Sequence, residues 1–298
     1  MRIVFCGSGW LPLIDVLADT IGQPVHRRAP SRSVRDAIAN ADVVLPSNGA
    51  VDAEAIAHAS HLRLIQQPAA GYDGIDLDAA RARGIPVCNA PGTNPQAMAE
   101  AALLLLLNVA RRTNEATRAV RDGVIGVPVG VELAGRTIVV VGAGRSGERF
   151  ARAVEGLGMV VRRVTSAHGR GGLLDALAGA DALSIHCPLD ATTHHLIDAE
   201  ALARLNRGAL LVNAARGAIV ERAALEAALD GGRLRGAGLD VLWDEPWNPA
   251  DPLLARDDVY VTPHLGGSTE ASFARIAAVV AENIRRLSAE EPLLHRIV

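Results

Sequence analysis

Ile138-Val139-Val140-Val141-Gly142-Ala143-Gly144-Arg145-Ser146-Gly147 is a β-branched run that opens directly into G-x-G-x-x-G. Three consecutive valines after an isoleucine read as a buried strand. Gly142 allows a tight turn, Gly144 lets the backbone approach a pyrophosphate, and Gly147 lets strand and helix pack closely. The helix that starts at Arg145 and Ser146 turns its unpaired N–H groups toward a phosphate. With a strand before it and a helix after it, the motif predicts a dinucleotide-binding βαβ unit.

Outward from this run, strands are predicted at 136–141, 159–164, 181–185, 209–213, 236–241 and 258–262. Six parallel strands is the full dinucleotide-binding count. Upstream, apolar runs at 2–6, 24–27, 42–45, 63–66 and 86–88 alternate with helical patterns near 11–20, 33–40, 52–59 and 76–83. Such alternation gives a parallel sheet with helices on both faces. Pro91-Gly92-Thr93-Asn94-Pro95 ends the series, and one long helix is predicted over 96–121. Past Gly266-Gly267-Ser268 a helix over 269–288, with Ser268 as its N-cap, returns the chain to the first domain. The expected fold is α/β, with two doubly wound parallel-sheet domains. A Rossmann dinucleotide-binding domain over 95–269 is inserted into a flavodoxin-like substrate-binding domain formed by 1–94 and 270–298. The connections near 93–96 and 266–269 are the expected hinges.

The second strand of a Rossmann unit should end in an acid if the cofactor is NAD, because that carboxylate accepts from the ribose 2′-hydroxyl. Here Arg162-Arg163-Val164-Thr165-Ser166-Ala167-His168 carries none. Arg163, Thr165 and Ser166 suit a 2′-phosphate instead, since arginine binds phosphate through paired hydrogen bonds. The expectation is that NADP is favoured and NAD possible.

Three distant residues each follow a predicted strand: Arg216, Glu245 and His264. Ligands of open α/β sheets bind outside the carboxyl ends of the strands. A guanidinium, a carboxylate and an imidazole at that edge form an acid–base site with an anchor for an anionic substrate.

The ordered motifs around these residues resemble the D-isomer-specific 2-hydroxyacid dehydrogenases. They are His186-Cys187-Pro188-Leu189, Thr193-His194-His195-Leu196-Ile197, Asn213-Ala214-Ala215-Arg216-Gly217, Gly238-Leu239-Asp240-Val241, Glu245-Pro246 and Thr262-Pro263-His264. Upstream, Ala70-Gly71-Tyr72-Asp73-Gly74-Ile75-Asp76 and Met98-Ala99-Glu100 match as well. The resemblance implies an NAD(P)-dependent 2-ketoacid reductase. Arg216 would clamp the substrate carboxylate and polarise its carbonyl. His264 would exchange the proton with that oxygen. Glu245 would bond the far imidazole nitrogen and favour the imidazolium form. Ala70 and Gly71 would bind the carboxylate through backbone. Asp240 and Ala214 would lie near the nicotinamide, Pro188 and Thr193 near the rest of the dinucleotide, with Gly266 also in the cofactor shell. A homodimer is implied too, and the long helix with Val124-Ile125-Gly126-Val127-Pro128-Val129 offers an apolar contact surface. Members that act on phosphoglycerate are expected to carry an arginine after the third strand. Val44-Leu45-Pro46-Ser47-Asn48-Gly49 has none, which favours a small unphosphorylated keto acid such as glyoxylate, hydroxypyruvate or pyruvate. Two other readings share the scaffold: a nucleotide-sensing corepressor, and a different NAD(P)-linked oxidation such as that of phosphite.

Composition sets the outer bounds. The 298 residues are 49% hydrophobic and 21% charged, enough for a large core and too apolar for disorder. A net charge of −3 gives no general attraction for nucleic acid or anionic membrane. The scattered Cys6, Cys88 and Cys187 read as small buried hydrophobes in a reducing compartment, and a cytoplasmic protein is expected. No Cys/His spacing suggests a metal site; His194 and His195 are adjacent, so their side chains are expected to diverge. Trp243 and Trp247 flank Glu245, as a pocket roof or a dimer anchor.

Overall fold

The computed structural model describes residues 1–298. The chain divides into two compact units, one formed by Met1–Asn94 with Ser268–Val298 and the other by Pro95–Gly267. Both are parallel-sheet α/β units.

In chain order the first unit holds β1 (Ile3–Phe5), α1 (Leu11–Ile21), β2 (Val25–Arg27), α2 (Val34–Ile38), β3 (Val43–Leu45), α3 (Ala53–His58), β4 (Leu64–Gln66), α4 (Leu77–Ala82) and β5 (Val87–Cys88). The second unit follows with α5 (Pro95–Arg111), α6 (Thr113–Arg121), β6 (Thr137–Val141), α7 (Arg145–Gly156), β7 (Val160–Val164), α8 (Gly169–Leu177), β8 (Ala182–Ile185), α9 (Ala199–Arg204), β9 (Ala209–Asn213), α10 (Arg222–Asp230), β10 (Leu234–Leu239) and β11 (Val259–Val261). Helix α11 (Glu270–Ser288) belongs to the first unit.

The first sheet has the order β2-β1-β3-β4-β5, all parallel, the flavodoxin arrangement. Alternate strand residues feed opposite faces. Ile3, Phe5, Val43, Leu45 and Leu64 pack with Leu13 and Leu17 of α1 and Ile276, Val280 and Ile284 of α11. Val4, Val44, Ile65 and Val87 pack instead with Ile38, Ile56 and Ala80 of α2, α3 and α4. Both faces are covered, as parallel strands require.

The second sheet runs β11-β10-β9-β8-β6-β7, again all parallel. Ile138 and Val140 face Leu105 and Leu106 of α5 and Phe150 and Val154 of α7. Val139 and Val141 face Leu173, Leu202 and Leu225 on α8, α9 and α10. The strand after β7 returns to the far side of β6, so the winding reverses between β6 and β8, and β7 is left at the edge. A reversal of this kind opens the ligand crevice of a doubly wound sheet.

Two details differ from the sequence reading. The predicted helix 96–121 is broken: Arg112 adopts a left-handed conformation (φ 52) between α5 and α6. The break lets α6 reach β11, where Asn114 Nδ2 donates to the Val259 carbonyl at 2.8 Å and Arg118 pairs with Asp257. Arg112 itself is held by paired bonds to Glu115 at 2.6 and 2.5 Å. At the start of α11 the cap is Thr269, which accepts from the Ser272 amide, and not Ser268.

Candidate active site

Strands β9, β10 and β11 are neighbours, so their carboxyl-end loops are neighbours too. Each loop is fixed by a polar side chain at its base. Asn213, buried at the end of β9, donates from Nδ2 to the Arg216 carbonyl at 2.8 Å and accepts from the Ala215 amide at 3.0 Å. That turn sets Arg216 in extended backbone (φ −145), and its Nη1 donates to the Ala215 carbonyl at 2.8 Å. Gly217 then lies against the next loop: a Cβ there would overlap the Leu242 carbonyl and come within 2.7 Å of the Trp243 nitrogen. Only glycine lets the Arg216 loop seat on the Glu245 loop.

Glu245 is held at both oxygens. Oε1 accepts from the Leu242 amide at 3.2 Å, and Oε2 lies 2.6 Å from Nδ1 of His264. The two side chains are 20% and 25% exposed, shielded yet reachable. His264 has φ 50, a conformation costly for a non-glycine residue. Its amide donates to the Asp240 carbonyl at 2.8 Å and the Thr262 carbonyl at 2.9 Å. The buried Asp240 carboxylate fixes the rest of this loop: it accepts from Thr262 Oγ1 at 2.6 Å and from the Leu265 and Gly266 amides at 2.8 Å each. Asp240 thus acts as the base of the His264 loop, and Gly266 sits on its carboxylate. A carboxylate oxygen accepts in such a bond, so Nδ1 carries the hydrogen it shares with Glu245.

At the other side of the sheet, Gly142 has φ 95, and a Cβ there would come within 2.5 Å of the Cys187 nitrogen. A Cβ on Gly147 would overlap the Gly142 carbonyl oxygen, whereas one on Gly144 meets nothing within 4 Å. The turn is closed where strand and helix pack and open at Gly144, at the N-terminus of α7. These residues fit a dinucleotide pyrophosphate. His186 lies beneath the turn, its ring 4.9 Å from that of Phe150 and its Nε2 2.9 Å from Ser184 Oγ. Burial pushes its pKa down to about 4, so it stays a neutral packing group. Burial also pushes the thiols up, Cys6 to about 12 and Cys88 and Cys187 to about 11.

The residues expected around the adenosine are placed unevenly. Arg145 is exposed and Ser146 half-buried in the first turn of α7. Thr165 bonds the ring of His168 (Oγ1 to Nδ1, 3.0 Å) and caps the short turn that starts at Ser166. Arg163 does not present a free guanidinium: it pairs with Glu148 at 3.1 Å and Glu155 at 2.9 Å, both on α7. Arg162 donates to the Ala176 and Ala178 carbonyls. Edge strand β7 directs both arginines onto neighbouring helices. Thr193 Oγ1 donates to the Pro188 carbonyl at 2.7 Å, so that loop closes on itself, and Ala214 is buried beside the Arg216 turn. His194 and His195 do not diverge: their rings stack at 3.9 Å, because the left-handed backbone of His195 (φ 51) folds one back on the other. No group of three or more potential metal ligands forms. Trp243 and Trp247 pack on the core, and the Trp243 indole donates to the Val220 carbonyl at 2.7 Å.

In the first unit, Ala70 and Gly71 lie in the loop after β4. The Ala69, Ala70 and Gly71 carbonyls accept from the Ala90 amide (2.9 Å), Asn89 Nδ2 (2.8 Å) and Gln67 Nε2 (2.7 Å). Sequence reasoning missed Asn89 and Gln67, as it missed Asn213 and Gly217. Each acts through a contact with a loop, and only Asn213, a polar residue closing an apolar strand, leaves a local sign.

A family model described as D-isomer specific 2-hydroxyacid dehydrogenase, NAD binding domain, matches residues 103–266. The chain belongs to the D-isomer specific 2-hydroxyacid dehydrogenase family. A glyoxylate reductase of Korarchaeum cryptofilum (strain OPF8) is 40% identical over 250 residues, covering 78% of this chain and 75% of that protein. A D-3-phosphoglycerate dehydrogenase of Mycobacterium tuberculosis (strain ATCC 25618 / H37Rv) is 40% identical over 268 residues, covering 86% of this chain and 51% of that protein. The chain therefore spans about half the length of that relative. The crystal structure of the TT0316 protein from Thermus thermophilus superposes with a TM-score of 0.86 at 34% identity, covering 100% of both chains. The matched family region contains Gly142–Gly147, Arg216, Glu245 and His264, so the 2-hydroxyacid dehydrogenase family and the site share one unit.

Proposed function

We propose that the protein is an NAD(P)-dependent reductase of small 2-keto acids to D-2-hydroxy acids, acting in either direction. The observation that carries this is the 2.6 Å bond between His264 Nδ1 and Glu245 Oε2, beside the loop of Arg216. A bound nicotinamide supplies or accepts the hydride. Glu245 holds Nδ1–H, so Nε2 of His264 gives a proton to the carbonyl oxygen in reduction and takes it back in oxidation. Arg216 pairs with the substrate carboxylate and draws charge toward the same oxygen. In the first unit, Ala70 and Gly71 offer amide donors to a carboxylate.

The substrate class is the unphosphorylated keto acids, because the loop after β3 offers Ser47, Asn48 and Gly49 and no cation. NAD(P)H oxidation with glyoxylate, hydroxypyruvate, pyruvate and 3-phosphohydroxypyruvate tests this. Turnover is expected with at least one of the first three and to be weakest with the last; no turnover with any of them refutes the reading.

The end of β7 lacks an acid, which removes the usual basis for rejecting NADPH. Because Arg162 and Arg163 are otherwise engaged, we expect NADPH to be favoured only slightly, by less than about tenfold in kcat/KM, the worth of one interaction of about 1.4 kcal/mol. A larger preference for either cofactor contradicts this.

Val124, Ile125, Val127 and Val129 form an exposed apolar run on the second unit, with Ile125 96% exposed. We propose that a second copy of the chain covers it. No helix is long and apolar enough to cross a membrane. The three free cysteines suit a reducing compartment, and we propose the cytoplasm.

A further inference from the structure

The first unit carries a buried polar chain that the chemistry above does not use. Asn283, on α11, donates from Nδ2 to Gln66 Oε1 at 2.6 Å and to the Leu294 carbonyl at 3.0 Å, and accepts from the Leu294 amide at 2.7 Å. Gln66 Nε2 donates to the Gln67 carbonyl at 3.1 Å. Gln67 Nε2 donates in turn to the Ser47 carbonyl at 3.0 Å and the Gly71 carbonyl at 2.7 Å. A second arm starts on the same C-terminal segment. The His295 carbonyl accepts from the Asn89 amide at 3.3 Å, and Asn89 Nδ2 donates to the Ala70 carbonyl at 2.8 Å. Both arms end on the loop of Ala70 and Gly71.

Three buried amide side chains among the leucines and isoleucines of this core are costly unless each is bonded. Gln67 shows what the arrangement serves. It is 6% exposed, and its Oε1 is buried with no donor from the protein. Turning the amide over would set oxygen against the Ser47 and Gly71 carbonyls. The side chain therefore keeps its orientation for the two loops and leaves its own acceptor unpaired. A planar trans peptide points its N–H opposite to its C=O. Tying down the Ala69, Ala70 and Gly71 carbonyls therefore aims the amides of Ala70, Gly71 and Tyr72 the other way. No backbone carbonyl accepts from the Ala70 or the Gly71 amide.

We propose that Gln67 and Asn89, backed by Asn283 and the segment 294–298, are positioning residues that set the direction of the Ala70 and Gly71 amides and with it the affinity for the substrate carboxylate. This rests on the reading of those amides as carboxylate donors.

Two variants test it. Gln67→Met keeps length and removes both donated bonds. Asn89→Asp keeps shape, lies nearer solvent and cannot donate to the Ala70 carbonyl. The readouts are KM and kcat for the preferred keto acid, the dissociation constant of oxamate, and the dissociation constant of NADH. In each variant KM and the oxamate constant are expected to rise about tenfold, the effect of about 1.4 kcal/mol, one lost hydrogen bond. Turnover should stay within about threefold, and NADH binding, seated on the other unit, should not change. Unchanged KM and oxamate binding in both variants would overturn the relay. So would a parallel fall in turnover and NADH affinity, which marks a general loss of structure. If the wild-type protein neither reduces a keto acid nor binds oxamate, the underlying functional reading fails instead, and the proposal with it.

Discussion

Replacing Glu245 with Gln keeps the size of the side chain and removes one acceptor from a carboxylate that uses both of its oxygens. Oε1 serves the Leu242 amide at 3.2 Å and Oε2 serves His264 Nδ1 at 2.6 Å. A glutamine has one acceptor oxygen for these two donors. If its oxygen keeps the Leu242 amide, its NH2 faces Nδ1. The imidazole must then accept there and carry its hydrogen on Nε2, a form that can neither take a proton from the hydroxy acid nor exist as the imidazolium, with hydrogen on both nitrogens, that gives one to the keto acid. If its oxygen keeps Nδ1–H, its NH2 meets the Leu242 N–H and the 242–245 turn must open. The short bond is charge-assisted, and such bonds contribute about 1.5–3 kcal/mol. Its loss corresponds to roughly 10- to 150-fold in the population of productive imidazole. Glu245→Gln is therefore expected to lower kcat on the order of 10²-fold with the preferred keto acid. NADH affinity should be unchanged, because the Gly142–Gly147 turn lies at other strands of the sheet. Stopped-flow single turnovers at saturating NADH and keto acid separate the chemical step from product release. A single-turnover rate within about threefold of wild type would refute the assignment of Glu245 as the partner that fixes the His264 tautomer, since the lost bond would then have no kinetic weight.

Gly217→Ala places a methyl group into the Leu242 carbonyl and should separate the Arg216 and Glu245 loops. We expect activity to fall more than about tenfold while the far-UV spectrum is retained, and wild-type kinetics would show that the loops need not touch. His186 makes the second unit sensitive to acid. Its pKa is pushed down to about 4 from an ordinary 6.5, so the unfolded chain binds the proton more readily and stability is lost as pH falls from 6.5 toward 4. The residue is only half-buried by surface, so we expect about 1–3 kcal/mol rather than more. Urea unfolding of Trp10→Phe protein, followed through Trp243 and Trp247, should show this slope, and His186→Gln should flatten it. Ile125→Glu puts a charge on the exposed apolar run and is expected to convert a dimer to monomer in sedimentation velocity; a wild-type monomer would exclude that interface.

Legibility in the sequence depended on where a residue acts. Arg216, Glu245 and His264 could be read because each comes after a buried apolar run, and a parallel sheet puts every such position at one edge. The strands themselves were legible because residues 138–141 and 209–212 bury both alternating faces and so appear as unbroken apolar runs. Arg112 is held locally by Glu115, but the break is not legible from that pair, because what draws α6 aside is a carbonyl and a carboxylate on β11 and its approach, which Asn114 and Arg118 reach across 145 and 139 residues. The Arg163 reading failed in the same way. A guanidinium at the end of a second Rossmann strand looks available until the sheet order puts β7 at the edge and brings α7 with Glu148 and Glu155 across it.

Tolerance to change divides along the same line. Residues that meet substrate or cofactor can be read one at a time, because their chemistry is their own. Asn213, Asp240, Gln67 and Asn89 are seen instead through their contacts: each bonds a loop at its base. His264 shows the need most directly. Its left-handed backbone persists because Asp240 offers a carbonyl to its amide and a carboxylate to the two amides that come after it. An Asp240→Asn substitution leaves the imidazole, its glutamate and the arginine in place. It nevertheless turns one of the acceptors facing Gly266 and Leu265 into a donor. The strain at His264 then loses its support, and the imidazole relaxes away from Glu245. Loss of activity in such a variant, with cofactor still bound, would trace the acid–base pair back to the carboxylate at the base of its loop.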